Sequence, residues 1–112
     1  MSDFHDFLKH QYAHVAIGEF KPGKFYEAQK LYEEAVATYS HGFKAAYFLR
    51  EPNSERGISV ILWESVDDLE ASQNETHQAI LKKMAPLFTE IPATELYEVV
   101  FEKKHESELA DS

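Results

Sequence analysis

Apolar residues alternate with polar or small ones in four stretches of the chain and recur at helical spacing in two others, in the order strand, helix, strand, strand, helix, strand. The first stretch, 12–20 (YAHVAIGEF), sets Val15 and Ile17 on one face and His14, Ala16 and Phe20 on the other. Lys21-Pro22-Gly23-Lys24 interrupts it, with Pro and Gly marking a loop. Over 25–40, Phe25, Ala28, Leu31, Tyr32, Ala35, Val36 and Tyr39 share one helical stripe, while Glu27, Lys30, Glu33 and Glu34 fall mainly outside it. Gly42 stands where a left-handed C-terminal cap is wanted. The stretches 44–50 and 57–64 flank the turn-forming run EPNSER and predict a hairpin. Ser65 and Asp68 form a capping-box pair for a short helix reaching about residue 73. Asn74 caps a longer helix from Glu75, and Pro86 ends it near Ala85. A last strand runs over 94–102 (TELYEVVFE).

This order predicts an α+β domain of ferredoxin-like βαββαβ layout over 12–102, preceded by an extension, 1–11, and followed by a polar tail, 103–112. Phe4, Phe7 and Leu8 give the extension the makings of a helical turn. Right-handed crossovers put both helices on one face of a four-stranded antiparallel sheet. The opposite face ought then to be polar, and it is not. Ile58, Val60 and Leu62 oppose Ile61 and Trp63; Ala46 and Phe48 oppose Ala45, Tyr47 and Leu49; Leu96 and Val100 oppose Tyr97, Val99 and Phe101. An uncovered apolar face of that extent exceeds what a monomer normally exposes. The expectation is a homodimer whose two sheets meet face to face as a dimeric α/β barrel, with the helices outside.

A length of 112 residues fits one domain. The formal net charge of −9 speaks against nucleic acid and anionic membranes as partners, since both demand clustered Lys and Arg. The absence of cysteine excludes disulfides, thiolate catalysis and Cys-based metal centres. Acids near the N-terminus and the lack of a long apolar run predict a cytoplasmic protein.

Residues 12–101 resemble the antibiotic biosynthesis monooxygenase (ABM) family of the dimeric α/β-barrel superfamily. The resemblance is carried by AIGEFKPGK, the helix FYEAQKLYEEA, the segment GFKAAYFLREPNSERGISVILWES, the helix with NETHQAI, and the closing PLFTEIPATELYEVV. It implies a pocket between helices and sheet in each protomer, and chemistry of the kind done by cofactor-independent oxygenases on aromatic compounds. The implied function is a monooxygenase-like oxidoreductase acting on a small aromatic or quinone-type compound without a cofactor. The alternative is a dimeric binding or sensor module for a small molecule, with no turnover. The haem-degrading branch of the family carries an Asn in the first strand, a His on the second helix and a Trp on that helical connection. Here 12–20 contains no Asn and the single Trp, Trp63, lies in a strand, so only His77 corresponds.

His77 is the candidate catalytic residue. It shares a stripe of the second helix with Ile80, Leu81, Met84 and Phe88, which turns it toward the sheet. In the first turn after Asn74, the helix dipole disfavours imidazolium and leaves a neutral ring able to take a proton. Removing a phenolic or enolic proton yields an electron-rich anion that reacts with dioxygen directly. Trp63 and Tyr47 are expected on the same sheet region, where they stack on a flat ligand, and Tyr32, Tyr39 and His14 complete the candidate binding set. Plain core packing is the simpler account of each aromatic, as a core or interface histidine satisfied by a hydrogen bond is of His77. His41, beside Gly42, fits a surface role at a helix end, and His5 and His10, five apart, are poorly spaced for a metal pair.

Overall fold

The computed structural model describes residues 11–105; the extension with Phe4, Phe7, Leu8, His5 and His10, and the tail from 106 onward, lie outside the described residues. Within them the order is β1 (Gln11–Glu19), α1 (Phe25–Ala37), β2 (Phe43–Arg50), β3 (Arg56–Trp63), α2 (Val66–Ala71), α3 (Glu75–Met84), a single 3-10 turn (Ala85–Leu87) and β4 (Ala93–Val99). The four strands form one antiparallel sheet in the order β2-β3-β1-β4, with the helices on one face, which is the ferredoxin-like arrangement.

Local chemistry sets the element ends. The Ser65 side chain accepts from the Asp68 backbone N–H at 3.1 Å and donates to the Asp68 carboxylate at 2.9 Å, starting α2. The Asn74 side chain accepts from the His77 N–H at 2.9 Å, starting α3. Pro86 falls in the 3-10 turn, where an α-helical bond is no longer needed. α1 stops at Ala37, three residues short of the expected end. The Thr38 hydroxyl donates to the Ala35 carbonyl at 2.6 Å, and the N–H groups of Thr38 and Tyr39 tighten onto Ala35 and Val36. Gly42 is left-handed (φ 79°), but as part of the turn into β2, not as the helix cap that its position suggested. α2 likewise ends at Ala71, and β4 ends at Val99, opposite Gln11, the first described residue of β1.

Two packed groups fill the space between helices and sheet. Phe20, Phe25, Ala28, Met84 and Leu87 form one, with Phe48 and Phe88 against them; Phe20 stacks on Phe88 and Phe25 on Phe48. Ile61, Trp63 and Leu69 form the other, with Tyr39, Phe43 and Ala46 alongside. Tyr32 touches both groups. On the far side of the sheet Tyr47 and Leu49 are half exposed, and beyond β4 Val100 and Phe101 are about four-fifths exposed.

Candidate functional site

The inner faces of β1 and β3 carry a gradient of side-chain size. Read along the register, the facing pairs are Tyr12 with Trp63, His14 with Ile61, Ala16 with Ser59, and Gly18 with Gly57. The large pair is packed solid: Trp63 is fully buried against Tyr39 and Phe43. At the other end the glycines admit aromatic rings onto the sheet itself. A Cβ on Gly18 would stand 2.7 Å from the Phe88 ring, and one on Gly57 would crowd Phe20 and Phe25. Between the two ends, over Ala16 and Ser59, the small side chains reach too little to meet the helices. A cavity of about 480 Å³ results, roofed by α1 and α3. Exposed Gln73, Glu90 and Ile91 mark its rim.

Four of the residues singled out from the sequence line this cavity: His77, His14, Tyr32 and Tyr39. His77 is 7% exposed, and its Nε2 lies 2.9 Å from the Tyr39 hydroxyl. Burial, reinforced by a like-charge effect from His14, lowers the His77 pKa from its ordinary 6.5 and keeps the ring neutral near pH 7. Burial, with a smaller contribution from Tyr32, holds the Tyr39 phenol up at about 12. A phenol that keeps its proton beside a neutral imidazole is best satisfied by donating to Nε2, which leaves the ring proton on Nδ1. That Nδ1 is sealed from solvent and meets no hydrogen-bond partner.

Tyr32 is tied down as well. Its hydroxyl accepts from Ser59 at 2.9 Å and donates to the Tyr47 carbonyl at 3.1 Å, while its ring stacks on Phe48. Burial raises its pKa, with the Ser59 bond opposing, so it too is a neutral phenol. His14 projects from the sheet floor between Ile61 on β3 and Leu96 on β4. Burial lowers its pKa from 6.5.

Tyr47 and Trp63, expected beside one another on a ligand, do not line the cavity. Lys44 is an extra residue in the ladder between Phe43 and Ala45, and beyond it Tyr47 pairs with Val60, placing its side chain on the outer face. Trp63 is on the inner face but lies behind Tyr39, as part of the core. Ser59 was passed over in the sequence, although a lone hydroxyl on the inner parity of GISVILW is a legible signal. The rim residues Gln73 and Glu90 lie in loops and carried no periodic signal. His41 is 3.6 Å from Asp68 and almost fully exposed, away from the cavity.

Among the described residues no group of three or more His, Asp or Glu side chains is placed to hold a metal ion, and no helix is long and apolar enough to cross a membrane.

No protein-family model matches the chain, and no curated protein matches it. Solved structures do. A Caulobacter crescentus CB15 protein assigned as an antibiotic biosynthesis monooxygenase superposes with a TM-score of 0.74 at 19% identity, covering 90% of this chain and 100% of its own. A variant of SnoaB, a cofactor-independent oxygenase from Streptomyces nogalater, gives 0.73 at 14% identity, covering 82% and 95%. A conserved protein of Methanosarcina mazei Go1 gives 0.73 at 15% identity, covering 83% and 96%. Likeness at this level of identity establishes the backbone arrangement, and the chemistry of the cavity has to be argued from its own side chains.

Proposed function

From the fold it shares with antibiotic biosynthesis monooxygenases, we propose that this chain is a cofactor-independent oxygenase acting on a small aromatic or quinone-type compound, and that it works as a homodimer. The observation that carries this reading is the cavity itself. About 480 Å³ of mostly apolar space is large enough for a fused-ring aromatic. Its wall holds two neutral imidazoles and two neutral phenols, a set suited to moving a proton without binding an ion.

The chemistry that such a wall supports begins with ionisation of a hydroxyl conjugated to the carbon that will react. The resulting anion adds dioxygen to give a peroxide, and loss of water from that peroxide leaves a carbonyl. A CH₂ group and O₂ thus become C=O and H₂O, with the substrate supplying all four electrons. The apolar walls, Phe88 among them, suit a flat ring, and the protein supplies orientation and a proton acceptor.

The outer sheet face, which no other element among the described residues covers, supports the dimer. Val15, Ile17, Ile58, Val60, Leu62, Tyr47 and Tyr97 share it, and a second copy of the same face is the partner that two-fold symmetry supplies. The test of function is oxygen uptake with a panel of hydroxyaromatic compounds, each product identified by mass. Uptake with one oxygen atom retained in the product is expected. A compound that raises the melting temperature yet is recovered unchanged, with no uptake across the panel, would instead mark a binding protein.

A further inference from the structure

We propose that His14, on the floor of the cavity, and not His77, is the group that accepts the proton of a bound ligand's phenolic or enolic hydroxyl. The proposal rests on the reading above that the cavity takes hydroxyaromatic compounds.

The two imidazoles share a cavity but differ in what their nitrogens have left to offer. Neither nitrogen of His77 is open to take a proton: Nε2 is held by the Tyr39 hydroxyl at 2.9 Å, and Nδ1, which carries the ring proton, is unpartnered and sealed from solvent. For His77 to take a ligand's proton, the Tyr39 bond would have to break and a buried ring would have to turn. His14 forms no hydrogen bond to protein among the described residues, and neither of its nitrogens is among the sealed, unpartnered atoms. Its cross-strand neighbours, Ile61 and Leu96, have no polar atom to offer it. Of the wall's other hydroxyls, Ser59 is engaged with Tyr32, Tyr32 with the Tyr47 carbonyl and Ser72 with the Leu69 carbonyl, while Thr94, opposite Ala16, can share a hydrogen bond but is not a base. A ligand hydroxyl placed over Ala16 and Ser59 therefore finds one open basic group on the sheet floor, the imidazole of His14, the Glu90 carboxylate lying out on the exposed rim.

The step is a simple transfer. The ligand O–H bond breaks, its electron pair stays on oxygen, and the proton forms an N–H bond on the ring. His77, fixed by Tyr39, is a positioning residue that shapes the opposite wall. The site also selects its ligand. Burial makes His14 a weak base, so a plain phenol is too poor an acid to transfer to it. The matching class is a hydroxyl acidified by conjugation to a carbonyl or an equivalent electron-withdrawing group.

4-Nitrophenol, whose absorption moves to longer wavelength on ionisation, serves as the probe, with 4-nitroanisole, which has no proton to give, as the control for an intact cavity. In anaerobic buffer below the probe's own ionisation, the native protein is expected to bind 4-nitrophenol with the phenolate band present. His14→Gln is expected to bind 4-nitroanisole still but to lower the ionised share of bound 4-nitrophenol by about tenfold or more. In His77→Gln the ionised share persists even where affinity changes. A phenolate band that survives in His14→Gln, or is lost only in His77→Gln, overturns the assignment, as does native protein that binds the probe un-ionised. Ionisation through His14 with no oxygen uptake on any hydroxyaromatic leaves the assignment standing and removes the oxygenase reading. Failure of native protein to bind either probe removes both.

Discussion

At the scale of the residue, burial governs the charge of the cavity. His14 and His77 both have folded pKa values below the ordinary 6.5, because taking a cation out of water is costly. As pH falls below 6.5 the unfolded chain binds protons at these two positions before the native chain does. The unfolded state then carries more protons, so stability falls with falling pH, whereas above 6.5 both states are neutral there and no stability is lost. Differential scanning calorimetry should show Tm dropping between pH 6.5 and about 5, before the carboxylates begin to titrate. The drop should be shallower in a His14→Gln, His77→Gln double variant. An unchanged slope would mean that neither imidazole is shielded in the native state. Tyr39, with its phenol near 12, stays protonated throughout this range and continues to hold His77.

Elements depend on a few turn positions. Gly42 has φ 79°, and a Cβ there would run into the Asp68 side chain. Asp68 cannot withdraw freely, since it completes the capping pair with Ser65 that starts α2. Gly42→Ala should therefore destabilise the protein by about 2 kcal/mol, from left-handed strain together with a weakened cap. The matching fall in Tm is about 10 °C, read from thermal denaturation. A change within error would mean that the β2 turn relaxes without disturbing α2. The caps at Ser65 and Asn74 were legible in the sequence because a cap is a contact between residues three apart. The end of α1 was not, because the apolar stripe runs on through Tyr39 while the Thr38 hydroxyl competes for the helix's own carbonyl.

At the scale of the whole molecule the outer sheet face is decisive. Val60 sits near its centre, paired with Val15 on one side and Tyr47 on the other. With the two sheets facing each other, Val60→Glu would bury a carboxylate without a partner and cost about 3 kcal/mol or more per interface. Sedimentation should give a dimer for the native chain and a folded monomer for the variant. A native chain that sediments as a single copy would remove the barrel assembly.

The sequence by itself determined the number, kind and order of the elements and which residues share a face within each. Those properties are written in periodicities of two and 3.6, and a single segment suffices to carry them. It also determined that both faces of the sheet would be apolar, because parity alone separates Ile58, Val60 and Leu62 from Ile61 and Trp63. Tertiary structure decided what lies opposite what. The cavity exists because small residues of β1 meet small residues of β3, a matter of register between strands some forty residues apart. Tyr47 left the cavity because one extra residue, Lys44, enters the ladder with β3. The Tyr39–His77 bond, which commits one imidazole and leaves His14 open, joins two segments through the packing of α1 against α3. Spacing along a chain fixes the direction of a side chain within its own element, and only packing between elements decides which groups finally meet.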